Sequence, residues 1–167
     1  PELYRQNARV LVAVAQHIGS VLESPVAEAV GRTLKAHKPS VMWDDKWPRG
    51  DLWADWRVPG ASSLAVRLWL NARGVAIGLR PYRERGTTGH ETALELIDGH
   101  PLPGFEMLGA DAGFIGGGAR EIYGRWVDRD ALASLDVRDT VLEVAREVSP
   151  LMSALSGDTA TDAEADD

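Results

Sequence analysis

Apolar residues at Leu3, Val10, Leu11, Val14, Ile18, Val21 and Leu22 recur at three- and four-residue intervals, which predicts a first helix with that stripe buried. A second helix is predicted to start at Ser24-Pro25, where a capping serine precedes a proline suited to the first turn, and Glu28 falls near its positive end. Its apolar face is Val26, Val30, Thr33 and Leu34, and Lys38-Pro39 is the expected stop.

From residue 40 onward the period changes to two. Leu52, Ala54, Trp56 and Val58 alternate with Trp53, Asp55 and Arg57, predicting a strand that Pro59-Gly60 ends. Leu64, Val66, Leu68 and Leu70 alternate in the same way, and after Asn71-Ala72-Arg73-Gly74 the pattern resumes at Val75, Ile77 and Leu79, the signature of a β-hairpin with a four-residue turn. Residues 83–89 read as a polar loop. A short helix is expected from Thr88 or Gly89 through Ile97, ended by Asp98-Gly99, and a short strand at Phe105–Leu108. Gly109–Gly118 reads as a glycine-rich loop, followed by a strand at Glu121–Val127. Asp136 is placed to cap a closing helix that runs to Leu155 and is kinked at Pro150. Two amino-terminal helices, a mostly antiparallel twisted sheet of four to five strands and a closing carboxy-terminal helix make an α+β fold.

At 167 residues and 44% hydrophobic content the chain has enough apolar material for one core, so residues 1–156 are expected to form a single binding domain. Residues 157–167 carry five acids, Asp158, Asp162, Glu164, Asp166 and Asp167, and no base, and are expected to be an acidic disordered linker. Of the formal charge of −7, only −2 then remains on residues 1–157, so a polyanionic partner is not excluded. A start at Pro1 without methionine and an end inside the acidic stretch fit a recognition piece of a longer polypeptide. Cysteine is absent, which argues for a reducing, cytoplasmic setting. No apolar run is long enough to span a bilayer, so no membrane association is expected.

Among residues with chemical potential, tryptophan stands out: Trp43, Trp47, Trp53 and Trp56, four of the six, fall within fourteen positions and are interleaved with charged residues. Such rings either form core and cover for a small sheet or wall a cage for a planar ligand. Alternation puts Trp53 and Trp56 on opposite faces, so only one of them can belong to a single core. Arg80, Arg83 and Arg85 surround Tyr82 directly after the hairpin, either as a solvated loop or as a phosphate grip with a stacking ring; Arg67, Arg73, Arg120 and Arg125 extend a basic face if they are coplanar. His17, His37, His90 and His100 share no metal-ligand spacing, and Gly116-Gly117-Gly118 lacks the lysine of a phosphate-binding loop. Asp51 and Asp55 are acids without a Glu-x-Lys element, and Gly-x-Ser-x-Gly is missing, so neither a catalytic set nor a cofactor is expected.

Three segments carry a family resemblance: Leu52-Trp-Ala-Asp-Trp-Arg-Val58, the hairpin Leu64–Leu70 into Val75–Tyr82, and Glu121-Ile-Tyr-Gly-Arg-Trp-Val127 leading to Leu135-Asp136 and a helix. In that order they resemble the amino-terminal DNA-binding domain of McrB-type modification-dependent restriction GTPases. The resemblance implies a domain that flips a modified base out of double-stranded DNA into an aromatic pocket, as sensor for a downstream NTPase or nuclease domain of the same polypeptide in a restriction or phage-defence system. It implies Trp56 and Tyr123 as pocket walls, with Tyr82, Trp53 and Trp69 as further candidates because the family's aromatic on the first hairpin strand falls near Ala65. Arg57, Arg80, Arg83, Arg85 and Arg125 would grip phosphates. The family's Gly-x-Gly-Asn-Trp segment is altered here to Pro48-Arg-Gly-Asp-Leu-Trp53. The alternative is a protein-interaction or oligomerisation domain anchored by exposed tryptophans.

Overall fold

A computed structural model describes residues 2–37, 51–59, 64–71, 73–81, 89–109 and 122–154, with the side chains of 2–8, 11, 51, 89 and 90 left aside. The order is α1 (Glu2–Val21), α2 (Glu23–Val30), β1 (Lys35–His37), β2 (Asp51–Arg57), β3 (Leu64–Asn71), β4 (Gly74–Pro81), α3 (Gly89–Gly99), β5 (Glu106–Leu108), β6 (Ile122–Asp128), a 3-10 turn (Arg129–Ser134) and α4 (Val137–Ala154). The class is α+β. The sheet has six strands in the order β1-β2-β3-β4-β6-β5, all neighbours antiparallel.

Directly opposed residues share a face of the sheet, so the register sorts the side chains. One face carries Leu52, Ala54 and Trp56 of β2, Val66 and Leu68 of β3, Val75, Ile77 and Leu79 of β4, and Tyr123 of β6. All but Leu52 pack with Val26 and Val30 of α2 and with Val141, Val144, Ala145 and Val148 of α4 in the main core. Trp56 is wholly buried there, its indole Nε1 donating 3.0 Å to the Gly19 carbonyl of α1.

The stripe by which α1 meets the core is only partly the expected one: Ile18 and, just past the helix, Leu22 pack into the core as the periodicity predicts. Val12 and Ala15 are buried as well, whereas Val10, Val14 and Val21 are 60%, 44% and 55% exposed. The reason is steric: a Cβ added to Gly19 would lie 3.8 Å from the Cβ atoms of both Ala36 and Ala54, so α1 presents its smallest residues and comes close enough to the sheet for the Trp56 bond. Periodicity weighted toward large aliphatics finds Ile18 but adds Val10, Val14 and Val21 from the exposed side of such a helix.

Two further boundaries shift. No side chain caps α2, which begins before Ser24 and ends at Gly31, whose φ of 75° is left-handed and whose N–H returns to the Glu28 carbonyl. The chain is therefore already extended by Lys35, and an edge strand, β1, occupies the span read as the end of a helix. The expected hairpin, by contrast, is present: Asn71 pairs with Gly74, and the Asn71 Oδ1 accepts from the N–H groups of Arg73 and Gly74 at 2.8 and 3.2 Å. Asp136 caps α4 as expected, accepting from the Asp139 N–H at 3.0 Å.

Because Trp56 is both the largest buried side chain and the donor to α1, Trp56→Ala is expected to destabilise the domain by about 3–5 kcal/mol. Urea unfolding checks it: the midpoint should fall with the slope unchanged.

Candidate functional site: the outer face of the sheet

The other face of the sheet gathers most of the charged residues of β1 to β4. β1 contributes Lys35 and His37, β2 contributes Trp53, Asp55 and Arg57, β3 contributes Arg67 and Trp69, and β4 contributes Ala76, Gly78 and Arg80. In register, His37 stands opposite Asp55, Asp55 opposite Arg67, Arg67 opposite Gly78, and Gly78 opposite Gly124 of β6. One step along, Lys35 opposes Arg57, Arg57 opposes Ala65, and Ala65 opposes Arg80. Gly78 and Gly124, both buried, bring the backbones of β4 and β6 close together beside Arg67. No side chain fits there, since a Cβ on either would lie 2.2 Å from a carbonyl oxygen across the strand pair.

Asp55 and Arg67 are 0% and 2% exposed and form a two-pronged ion pair, Arg67 Nη2 donating at 2.7 Å to Asp55 Oδ2 and Nε donating to Oδ1. Arg57 Nη2 reaches the same carboxylate at 3.4 Å and lies 3.5 Å from His37 Nδ1. Arg67 also lies over the Trp53 ring, 4.6 Å from its centroid, and the His37 imidazole stacks nearly parallel to that indole at 5.9 Å and 11°. Burial, with the cations Arg57, Arg67 and Arg80 around it, holds the His37 pKa below the ordinary imidazole value, opposed only by Asp55. Beyond this polar corner, Trp69, Ala76, Leu108 and Ile122 form a second small apolar cluster, with Trp53 and Trp126 packed against it.

The structure regroups the residues singled out in the sequence. Trp53, Arg57 and Arg80 lie together on the outer face. Trp56 and Tyr123 do not form a slot: both lie on the helix-covered face, in one row through Val66 and Leu79, separated by three strand spacings or about 14 Å. Tyr123 is 6% exposed, packs on Phe105 at 5.5 Å, and its hydroxyl accepts from the Leu102 N–H at 2.7 Å, so its ring serves the interior. Trp69 is buried in the small outer cluster and also gives no pocket wall. Arg125 belongs to the helix side, opposite Ile77, where it grips Glu147 at 2.7 and 2.9 Å and Glu143 at 3.1 Å and lies over Phe105. It ties β6 to α4 and is not coplanar with Arg57 and Arg80. Tyr82, Arg83 and Arg85 lie outside the described residues, as do Trp43, Trp47, the glycine run 116–118 and the tail 157–167.

Sequence reasoning passed over His37, and it treated Asp55 and Arg67 as separate features. Their joint signal is positional: each occupies a polar step of a strand whose other steps are Leu, Ala, Trp and Val. Among the described residues no cluster of His, Asp and Glu suited to a metal is present, and no helix is long and apolar enough to cross a membrane.

No protein-family model, curated protein or solved structure matches this chain.

Removing one half of a buried ion pair strands the other in low dielectric. Arg67→Met is expected to cost about 3 kcal/mol or more, and Asp55→Leu combined with Arg67→Met less than the two single changes added together. A double-mutant cycle from urea unfolding measures this; strict additivity would mean the pair is not coupled.

Proposed function

We propose that this domain is a DNA-reading module that engages double-stranded DNA through the outer face of its sheet. The observation that carries the reading is that Arg57 and Arg80 share one face with the stacked His37–Trp53 pair, where Arg67, paired with Asp55, is held over the indole. Guanidinium groups beside a flat ring are the means by which proteins grip phosphates and support an unpaired base.

In this reading, recognition of a modified base shifts from Trp56 and Tyr123 to the Trp53 shelf. His37 occupies the plane against Trp53 that an extruded base would take, and the base displaces it. Flipping costs a few kcal/mol of lost stacking, which contact with Trp53 and hydrogen bonds from the neighbouring arginines offset. The domain is then a sensor without catalysis of its own, serving an NTPase or nuclease domain of the same polypeptide in a restriction or defence system. The cysteine-free composition supports a cytoplasmic setting for it.

Mobility shifts with plain, methylated and hydroxymethylated duplexes at two salt concentrations test this. Arg57→Ala and Arg80→Ala should each weaken binding several-fold and lower the salt slope by about one. Arg125→Ala should leave binding unchanged, because its partners are Glu143 and Glu147. The His37 imidazole should titrate higher in the complex than in the isolated protein, since displacement from Trp53 relieves the burial that holds its pKa down and phosphates offset the neighbouring cations. Absence of any shift at low salt rules the reading out.

A second reading, self-association, is favoured by a different observation. Val10, Val14 and Val21 lie exposed on the side of α1 opposite Val12, Ala15 and Leu22, with the spacing of a helix-pairing stripe. This stripe replaces the tryptophans expected as anchors, since Trp56 and Trp69 are buried. Sedimentation equilibrium should then show a concentration-dependent mass that Val14→Lys abolishes; a monomer at every concentration excludes it.

A further inference from the structure

A separate groove lies on the helix layer, and nothing in the DNA reading uses it. Towards their carboxy-terminal ends α2 and α4 are tied together, Ser149 Oγ donating 2.8 Å to the Val30 carbonyl and Arg32 donating 3.0 Å to the Met152 carbonyl. Nearer the start of both helices a cavity of about 510 Å³ opens, lined by Pro25, Glu28, Ala29, Arg138, Leu142 and Arg146. Arg138, Leu142 and Arg146 are four residues apart in sequence and so project from one face of α4, two cations flanking an apolar residue. Pro25, Glu28 and Ala29 supply the opposite wall from α2.

We propose that this groove docks an acidic polypeptide segment with the pattern acid, spacer, apolar, spacer, acid. The spacing argues for it. Eight helical residues place the Arg138 and Arg146 backbones about 12 Å apart. An extended segment with acids at its first and fifth positions spans about 13 Å and directs both acids, and the apolar side chain midway, to the same side. The carboxylates meet the two guanidinium groups while the central side chain lies on Pro25, Ala29 and Leu142. Charge complementarity is available at both ends: Arg146 makes no ion pair among the described residues, and Arg138 has only its exposed neighbour Asp139, at 3.5 Å. Glu28 repels a third acid at the centre, which selects the spaced pattern over a continuous acidic run. The same carboxylate, with the apolar floor, disfavours a nucleic-acid backbone.

The test uses the whole chain and a fluorescein-labelled peptide, Gly-Ser-Asp-Ser-Leu-Ser-Asp-Ser-Gly, read by anisotropy, beside a control peptide with its two aspartates adjacent. The spaced peptide should bind more tightly than the control. Arg146→Glu and Arg138→Glu should each weaken it about fivefold or more, and Glu28→Gln should strengthen it. Unchanged thermal melting of these exposed-site variants separates loss of binding from loss of fold. Equal binding of both peptides, or indifference to Arg146→Glu, overturns the proposal. So does displacement of the peptide by plain duplex DNA that itself depends on Arg146, which would make the groove a nucleic-acid contact. None of these outcomes bears on the outer-face arginines Arg57 and Arg80.

Discussion

The Asp55–Arg67 pair is the constraint on which the rest of the outer face depends. A fully buried carboxylate is tolerable only with a partner held in good geometry, and here adjacent strands in antiparallel register supply one by placing residue 55 opposite residue 67. Once that pair is fixed, neighbouring positions follow. Arg67 is held over Trp53, His37 faces Asp55 from the edge strand, and Arg57 bridges the carboxylate and the imidazole. The polar corner is thus organised by one buried charge before any ligand arrives, which reduces the ordering cost of binding.

The two faces of the sheet use cations in opposite ways. On the helix side Arg125 is held by Glu143 and Glu147 of α4, and its charge is spent on joining layers. On the outer side Arg57 and Arg67 both reach the Asp55 carboxylate, and burial together with the charges of Arg57, Arg67 and Arg80 holds the His37 pKa below the ordinary imidazole value. An arginine's role therefore follows from its parity along the strand, since that decides which carboxylates it can reach. Composition, near balance over residues 1–157, conceals this division.

Strand alternation was legible wherever large apolar residues marked one face. β2, β3 and β4 follow the pattern of Leu, Val and Ile almost residue for residue, and the Asn71–Gly74 turn follows from its chemistry. Parity within β6 also carried the right answer for Arg125, which shares its face with Tyr123 and Val127; grouping arginines by type obscured it. The amino-terminal helices were harder because contact there depends on smallness. Gly19, Ala15, Ala36 and Ala54 allow the close approach, and a search for large aliphatics selects Val10, Val14 and Val21 instead. The pocket walls were misplaced for a related reason: aromatic character identifies rings but does not say which face of a two-sided sheet they occupy.

That two-sidedness decides what the domain can offer a ligand. Trp56 and Tyr123, on the helix-covered face, are committed through the Gly19 carbonyl and the Leu102 N–H to holding α1 and the residues before β5. A ring so engaged cannot rotate to meet a base without breaking the core that positions the strands. Trp53 differs because one of its ring partners, the His37 imidazole, comes from an edge strand of only three residues, whereas Arg67 is held over it by the Asp55 pair. If the outer face does read DNA, as proposed, the ring it offers is therefore Trp53 at the His37 edge, where a planar base can replace the imidazole in kind.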